Sequence, residues 1–471
     1  DVLFPPVAAR DLPERQQTIN ATVGWSYHLL PAAEQRVFRR FGALPTRFSI
    51  DAAVAVLAGR TEFSATIDDA VAAAASLIDK SLLVRTDNPA QTRPMFQILE
   101  TVRAYAATEL TKCGELDEAS EGLARYCGDE AFLAARGLFG AAQAEWLDRV
   151  RDDLESYRTA LTWLIERGRH AAAAEIAWGL MYFWVIRGHA VEGLQWYEQV
   201  LSRTNLQAVP ESKALVGAAM MWYSLGELTA ARTNLTRALQ LAERAGEAEM
   251  IAQAAHLLGH VEHAVGNAAA ARALFARSAQ GFRELEIPWG VGNSLNGLAK
   301  VAMLTGDDVE AERLLAEAAS VLRHSSPWFL ALVLFRRATL AVQRGDANEA
   351  IALARESLSL FRELKDTFGI VYALAPLAAA AAIKGDDLWT ARILGARDAV
   401  TERTGAAVVD SCLRRLGESA ERAARARLTP DRWSRAYAAG RTTSIASLLN
   451  DIESVAGDGR TTRSDRVAVT R

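Results

Sequence analysis

Residues 256–278 read HLLGHVEHAVGNAAAARALFARS, and they decide the fold because the same frame returns at a fixed distance on both sides. Gly266 is one of five glycines, Gly226, Gly266, Gly306, Gly345 and Gly385, spaced by 40, 40, 39 and 40 residues. A fixed period of this length is the signature of a repeat architecture. Seven residues before each glycine stands Ala219, Gly259, Ala299, Ala338 or Ala378, always small. Five after it come Ala231, Ala271, Ala311 and Ala350, with Thr390 in the fifth copy. Twelve after it come Ala238, Ser278, Ala318 and Ser357, with Arg397 breaking the rule. Glycine in a turn supplies the φ > 0 conformation that ends one helix, and small residues on either side let two helices cross closely. Leu235, Phe275, Leu315 and Leu394, each nine after its glycine, fill the seam. One such hairpin cannot bury its apolar face alone, so neighbouring copies must stack.

This small–turn Gly–Ala–Ala frame resembles the tetratricopeptide repeat. Its period exceeds the about 34 residues of that repeat, which implies longer helices or longer joints. The fold class expected is mainly α: a winged-helix module at the N-terminus followed by a tetratricopeptide-like superhelix.

Composition narrows the function classes. A chain of 471 residues suggests two to four domains. A net charge of −4 gives no global basic field for nucleic acid. Cys113, Cys127 and Cys412 stand far apart with neither metal spacing nor disulfide density, which favours a reducing cytosol. No run of about 20 apolar residues suits a membrane span, so the expected location is cytoplasmic. The chain starts at Asp1 rather than Met, so an upstream domain is an open expectation.

In chain order, residues 1–16 hold three prolines and read as a linker from such a domain. Residues 17–112 read as the winged-helix module. Helices are expected over Thr18–Leu30, from Pro31 to Phe41, over Ile50–Ala58 with Ser49 as N-cap, over Asp68–Lys80 and over Leu99–Lys112. Ser81–Arg85 and Pro94–Ile98 read as two strands around the polar loop Thr86–Arg93. Residues 113–205 form a helical lead-in and capping region. There Trp178, Trp184, Trp196 and Tyr197 either line a ligand pocket or close the end of the stack. Residues 206–400 are the repeats, 401–456 the C-terminal helices, and 457–471 a polar Gly/Arg-rich tail expected to be disordered.

The segments RQQTINATVGWSYHLL (15–30), PAAEQRVFRRF (31–41), LIDKSLLV (77–84) and FQILETVRAY (96–105) resemble actinobacterial regulators of the AfsR/LuxR-like STAND class. In that family an NB-ARC-type ATPase core precedes a winged helix and a tetratricopeptide-like sensor, and a LuxR-type helix-turn-helix follows. The resemblance implies a non-catalytic sensor whose output runs through an ATPase core or a DNA-binding domain. The phosphate-binding Gly-x-x-x-x-Gly-Lys-Ser/Thr sequence is absent, and Ile98-Leu99-Glu100 stands where related NB-ARC proteins carry Met-His-Asp. Leucine cannot hydrogen-bond a phosphate, and Glu100 reads instead as a cap for the helix it begins. Direct DNA binding through the winged helix is disfavoured because Asp68–Lys80 opens with two acids and is otherwise mostly alanine. Arg36, Arg39 and Arg40 read as a solvated basic face.

In a tetratricopeptide frame the first helix of each hairpin lines the concave groove. His256, His260 and His263 share one stripe there, and Lys213, Asn293, Asn296, Lys300 and Arg336 take similar positions. Three imidazoles at this spacing can bind a metal or a carboxylate. No Cys or Asp joins them, and Glu262 points off the stripe, so the expectation is an effector or partner groove with no metal and no cofactor. Such a groove suits a protein partner or a small polar or acidic effector. No nucleophile–base constellation emerges, so the chain reads as non-catalytic. A free-standing interaction scaffold is the alternative, and direct DNA binding a second. Lys300→Glu is expected to weaken an acidic partner without lowering thermal stability.

Overall fold

A computed structural model of the chain describes residues 14–58, 67–86, 92–202, 206–404, 411–448 and 450. The tail 457–471, most of the linker 1–16 and the centre of the loop Thr86–Arg93 lie outside the described residues. The chain divides into two compact units. The first comprises Asp1–Ala135, Glu145–Leu180 and Gln199–Leu206; the second comprises Arg136–Ala144, Met181–Glu198 and Gln207–Arg471.

The first unit begins with α1 (Glu14–His28), α2 (Ala32–Phe41), β1 (Arg47–Ser49), α3 (Ile50–Leu57), α4 (Ile67–Asp79), β2 (Val84–Thr86), β3 (Met95–Gln97) and α5 (Glu100–Lys112). Both expected strands are present, and β1 joins them in an antiparallel sheet of order β1-β3-β2. Phe48 opposes Phe96 across β1 and β3, and Phe38, Phe41 and Phe48 are fully buried, Phe41 against Phe48 at 5.4 Å. This is a winged helix. Ser49 caps α3 as expected, accepting the Ala52 N–H at 3.2 Å. Glu100 does not cap α5: Leu99 holds the cap position without a side-chain bond, and Glu100 pairs with Arg103 three residues on. The basic face is also different from expectation. Arg36 is exposed, but Arg40 is buried between Glu115 and Glu118 and donates to the Val56 and Leu57 carbonyls at the end of α3. Arg39 binds Glu115 at 2.7 Å and the Tyr27 hydroxyl at 3.0 Å. Glu115 immediately precedes the helix Leu116–Gly137 and Glu118 lies in its first turn, more than 70 residues along the chain, where sequence neighbours gave no sign of them.

Helices α6 (Leu116–Gly137), α7 (Gln143–Asp152), α8 (Leu154–Glu166), α9 (His170–Ile186) and α10 (Ala190–Leu201) follow. In the second unit Trp184 and Tyr197 are fully buried edge to face at 5.7 Å, and Tyr197 fills the space left by Gly217 on the first repeat helix. Trp184 and Tyr197 thus pack inward as an end cap would, while Trp178 and Trp196 are half-buried.

The repeats are five hairpins: α11 (Ala208–Ser224) with α12 (Leu228–Ala245), α13 (Ala248–Ala264) with α14 (Ala268–Glu284), α15 (Pro288–Thr305) with α16 (Asp308–Leu322), α17 (Pro327–Gln343) with α18 (Ala347–Glu363), and α19 (Thr367–Ile383) with α20 (Asp387–Thr404). Then come α21 (Ser411–Arg427) and α22 (Pro430–Thr442). All five turn glycines have φ between 76 and 86°. The helices run 15 to 18 residues, so helix length rather than the joints stretches the period. The small positions are buried as the packing requires, and the two serines twelve after a glycine are satisfied. Ser357 donates to Ala331 O at 2.8 Å, and Ser278 meets Ser294 at 2.9 Å. Arg397 breaks the rule in the last hairpin, where α20 packs against α22 instead of a sixth repeat; it pairs with Asp398. Successive first helices touch one another more than successive second helices do, which puts the first helices on the inside of the curve.

Residues Arg136–Ala144 fall in this second unit and are bound like a strap. Phe139 stacks on Trp289 at 4.0 Å, and the buried Gln143 accepts the Trp328 N–H at 3.0 Å. Ser326, in the cap position of α17, makes no side-chain cap bond, so Gln143 supplies the missing acceptor from 185 residues away. Gln143→Ala is expected to lower the unfolding free energy by about 1–2 kcal/mol. Chemical denaturation measures it, and a loss below about 0.3 kcal/mol would show that water caps α17 equally well.

Candidate functional site

The period of the repeats places residues of successive first helices side by side. Ten residues before their turn glycines stand His256 and Asn296, and six before them stand His260 and Lys300. Asn293 of α15 reaches His256 of α13 at 2.7 Å, and the Lys300 Nζ reaches His260 Nδ1 at 3.3 Å. One repeat further, Arg336 Nε of α17 donates to Asn296 Oδ1 at 3.0 Å, and its guanidinium lies 5.1 Å over the Phe335 ring. His256, His260, Asn293, Asn296, Lys300 and Arg336, all expected from sequence, therefore join in contacts between successive first helices of three hairpins. Lys213 lies half-buried thirteen residues before its glycine on α11, in register with Asn293, and His263 lies half-buried one turn beyond His260.

Proton positions follow from the donors. An ammonium only donates, so His260 Nδ1 accepts from Lys300 and its proton sits on Nε2. That proton points at His256 Nε2, 3.1 Å away, which also receives the Asn293 amide. His256 therefore carries its own proton on Nδ1, 3.5 Å from the Ser294 hydroxyl, and Ser294 in turn donates to Gly290 O at 2.8 Å. Burial, reinforced by the Lys300 charge, pushes His256 down to about 3. The same two causes, with His256 adding to them, hold His260 well below the usual imidazole range. Both rings are neutral around neutral pH. No group of three or more His, Cys, Asp or Glu that could hold a metal occurs among the described residues.

Two contributors went unread in the sequence. Gln253, thirteen before Gly266 and in register with Asn293, is buried and donates to the Tyr182 hydroxyl at 3.0 Å. Its own register would have found it. Ser294 could not be found that way, because its role depends on the close approach of α14 and α15. Glu262 lies off the stripe as expected, held by Arg232 at 2.7 Å and Asn267 at 2.9 Å.

The first unit holds a second cluster. Arg93, nine-tenths buried just before β3, binds Asp51 at 2.6 Å, the Tyr126 hydroxyl at 2.8 Å and Asp153 at 2.7 Å, with Glu130 at 3.9 Å. Arg149 pairs with Glu130 at 2.7 Å, and Asp152 accepts from Thr92. Burial raises the Asp153 carboxyl and the Arg93 charge opposes it. This cluster ties the edge of the wing to α6 and α7. The helix considered for DNA, α4, presents exposed Asp68 and Asp69 in its first turn.

No family model matches the chain. Among curated proteins it is 28% identical over 364 residues to candidate HTH-type transcriptional regulators of Mycobacterium tuberculosis and Mycobacterium bovis. The match covers 73% of this chain, and the chain spans 39% of the length of those relatives. It is also 34% identical over 119 residues to an uncharacterized protein of Mycobacterium tuberculosis, covering 25% of this chain and 28% of that one. Among solved structures it is similar to a STAND protein with a tetratricopeptide repeat sensor from Pyrococcus horikoshii, with TM-score 0.46 at 10% identity over 93% of this chain and 67% of that one. A Rap protein complexed with competence and sporulation factor gives TM-score 0.42 at 10% identity, over 66% of this chain and all of that one. The longest curated matches carry regulator names. Among the described residues no helix is long and apolar enough to cross a membrane.

Proposed function

We propose that this chain is the non-catalytic sensor part of a cytoplasmic transcriptional or signalling regulator of the AfsR/LuxR-like STAND class. It binds a protein partner or a small polar or acidic effector on the inner face of the repeats. The observation that supports this reading is the set of polar contacts linking three successive first helices, Asn293 and Lys300 to the His256–His260 pair and Arg336 to Asn296, in a protein similar to regulators over 364 residues. A ligand touching α13, α15 and α17 together favours one relative rotation of the hairpins, and in a stack that bias adds along the array. On the family pattern, the change is read by an NB-ARC-type ATPase core.

The test replaces Lys300 in the native cell. Lys300 is nine-tenths buried and bonded to His260, so Lys300→Glu would put an acceptor where a donor stands; Lys300→Met removes the charge more gently. The Lys300→Met strain is expected to reproduce the transcript changes of a strain deleted for the chain, with the protein accumulating normally. If deletion changes no transcript, the regulator reading fails. If deletion changes transcripts and Lys300→Met does not, the inner face is not the sensing site. For the DNA alternative, a gel shift at low salt is expected to show no binding, since Asp68 and Asp69 repel phosphate.

A further inference from the structure

Two residues can do the same work at the start of α17. The Trp328 N–H, second in the helix, donates to Gln143 of the strap at 3.0 Å. Ser326 holds the cap position with an extended backbone (φ −152°, ψ 106°), where a serine hydroxyl ordinarily takes the N–H two or three residues on. That hydroxyl is fully buried and has no hydrogen-bond partner among the described residues. Turning about its own Cα–Cβ bond brings it to the Trp328 or Phe329 N–H. This helix end therefore has one cap in use and one in reserve.

The strap's other anchor sits against two hairpins at once. Phe139 lies parallel to Trp289 of α15 at 4.0 Å and to Phe329 of α17 at 5.9 Å, and Tyr182 meets it edge to face at 4.5 Å. Trp289 and Phe329 are 5.7 Å apart and also parallel, so the seat of Phe139 depends on the spacing of α15 from α17. Between the anchors stand Gly140, Ala141 and Ala142, the two alanines exposed, which hold the strap to nothing.

We propose that the strap Arg136–Ala144 is a two-state latch on the third and fourth hairpins. Latched, Phe139 lies against Trp289 and Phe329, and Gln143 caps α17. Released, Phe139 leaves its seat, Gln143 turns to water, and Ser326 caps α17. Exchanging one oxygen for another keeps the helix end bonded in both states. The hydroxyl left idle in the latched state offsets part of what holds the strap down. A rotation of α15 against α17 that parts Trp289 from Phe329 removes one wall of the seat and favours release. The strap continues at its two ends into α6 and α7, so release frees the adjoining ends of those helices. A ligand on the inner face is one cause of such a rotation, but the latch itself does not rest on the sensor reading.

Hydrogen exchange on the full chain, followed by mass spectrometry at the strap and at the first turn of α17, tests this. Phe139→Ala is expected to raise exchange in the strap by about tenfold or more and to leave the first turn of α17 protected as in the wild type. Ser326→Ala alone is expected to change neither. Ser326→Ala added to Phe139→Ala is expected to raise exchange at the first turn of α17 by about fivefold, the loss of one cap. Thermal melts establish that each variant is folded. Gln143→Ala, which removes the strap's cap and little volume, replaces Phe139→Ala if that variant does not fold, with the same expected dependence on Ser326. If Ser326→Ala loosens α17 equally in the wild type, the hydroxyl already caps the helix and the proposal falls. It falls too if Ser326→Ala loosens α17 in neither background, because no cap is then held in reserve. Loss of protection in α17 together with the strap in Phe139→Ala would make the strap a fixed part of the helix end, and would also overturn the latch.

Discussion

Replacing Arg93 by alanine is expected to destabilise the first unit by about 3–5 kcal/mol, a large share of the about 5–15 kcal/mol that holds a typical domain together. The reason is what remains behind. Asp153 has no exposed side-chain surface, and it faces Arg93 at 2.7 Å, with the Tyr126 and Ser49 hydroxyls as further partners. Asp51 and Glu130 share the same guanidinium. Removing it leaves three acids around one site, and the deepest of them must take a proton or draw in water. Adding Asp153→Asn to Arg93→Ala is expected to recover part of the loss, because it removes the buried charge rather than another bond. That sign of coupling separates an uncompensated charge from simple loss of packing. Hydrogen exchange across β3 during denaturant unfolding reads the effect, and a single-variant loss under about 1 kcal/mol would show that the cluster is solvated in solution.

Acid should unfold the second unit, with the histidine pair as the main cause. His256 titrates at about 3 in the folded chain against 6.5 for its ordinary value. Its depressed value means that the unfolded chain binds the proton first, so the stability it contributes is complete above 6.5 and is lost as pH falls toward 3. From pH 7 to pH 5 this amounts to about 2 kcal/mol for His256 alone, and His260 shifts in the same direction. Asp366 works the other way. It caps α19 through the Gly369 N–H at 3.0 Å and accepts the Trp328 indole N–H at 2.7 Å, yet burial pushes it up to about 6 from 3.8. The folded chain therefore binds this proton first, and acidification from pH 7 to pH 5 restores about 1 kcal/mol. The histidines outweigh it. Denaturation midpoints of the wild type should fall between pH 7 and pH 5. His256→Gln should flatten that slope by about 2 kcal/mol, and Asp366→Asn should steepen it. Superimposable profiles for the wild type and His256→Gln would mean that the imidazole is not held neutral.

The repeat architecture was legible because a stack enforces its rules locally in every copy. A turn needs φ > 0, so glycine recurs; a close crossing needs a small side chain, so alanine or serine recurs. The inner stripe was legible for the same reason. A constant period puts His260 and Lys300 at one position of successive first helices, where they touch, whereas His256 meets Asn293 rather than Asn296, its counterpart in register. The order of helices, a two-strand wing and a further helix likewise read as a winged helix before its sheet was seen, although β1, with three residues and no alternation to read, did not show itself.

What the sequence could not supply are pairings with no period behind them. Arg40 meets Glu118 across 78 residues, Arg93 meets Asp153 across 60, and Gln143 caps α17 across 185. An arginine followed by another arginine looks like a solvated face until a distant helix brings carboxylates to it. The proton order along Lys300, His260 and His256 is likewise a tertiary matter, since imidazole tautomers are chosen by neighbours in space. Sequence alone determined the hairpins, their register and the residue types on their inner face, because those follow from backbone geometry repeated five times. The tertiary structure alone decided which of those polar groups are buried, neutral and bonded to one another, because burial and charge depend on what lies across the gap between helices.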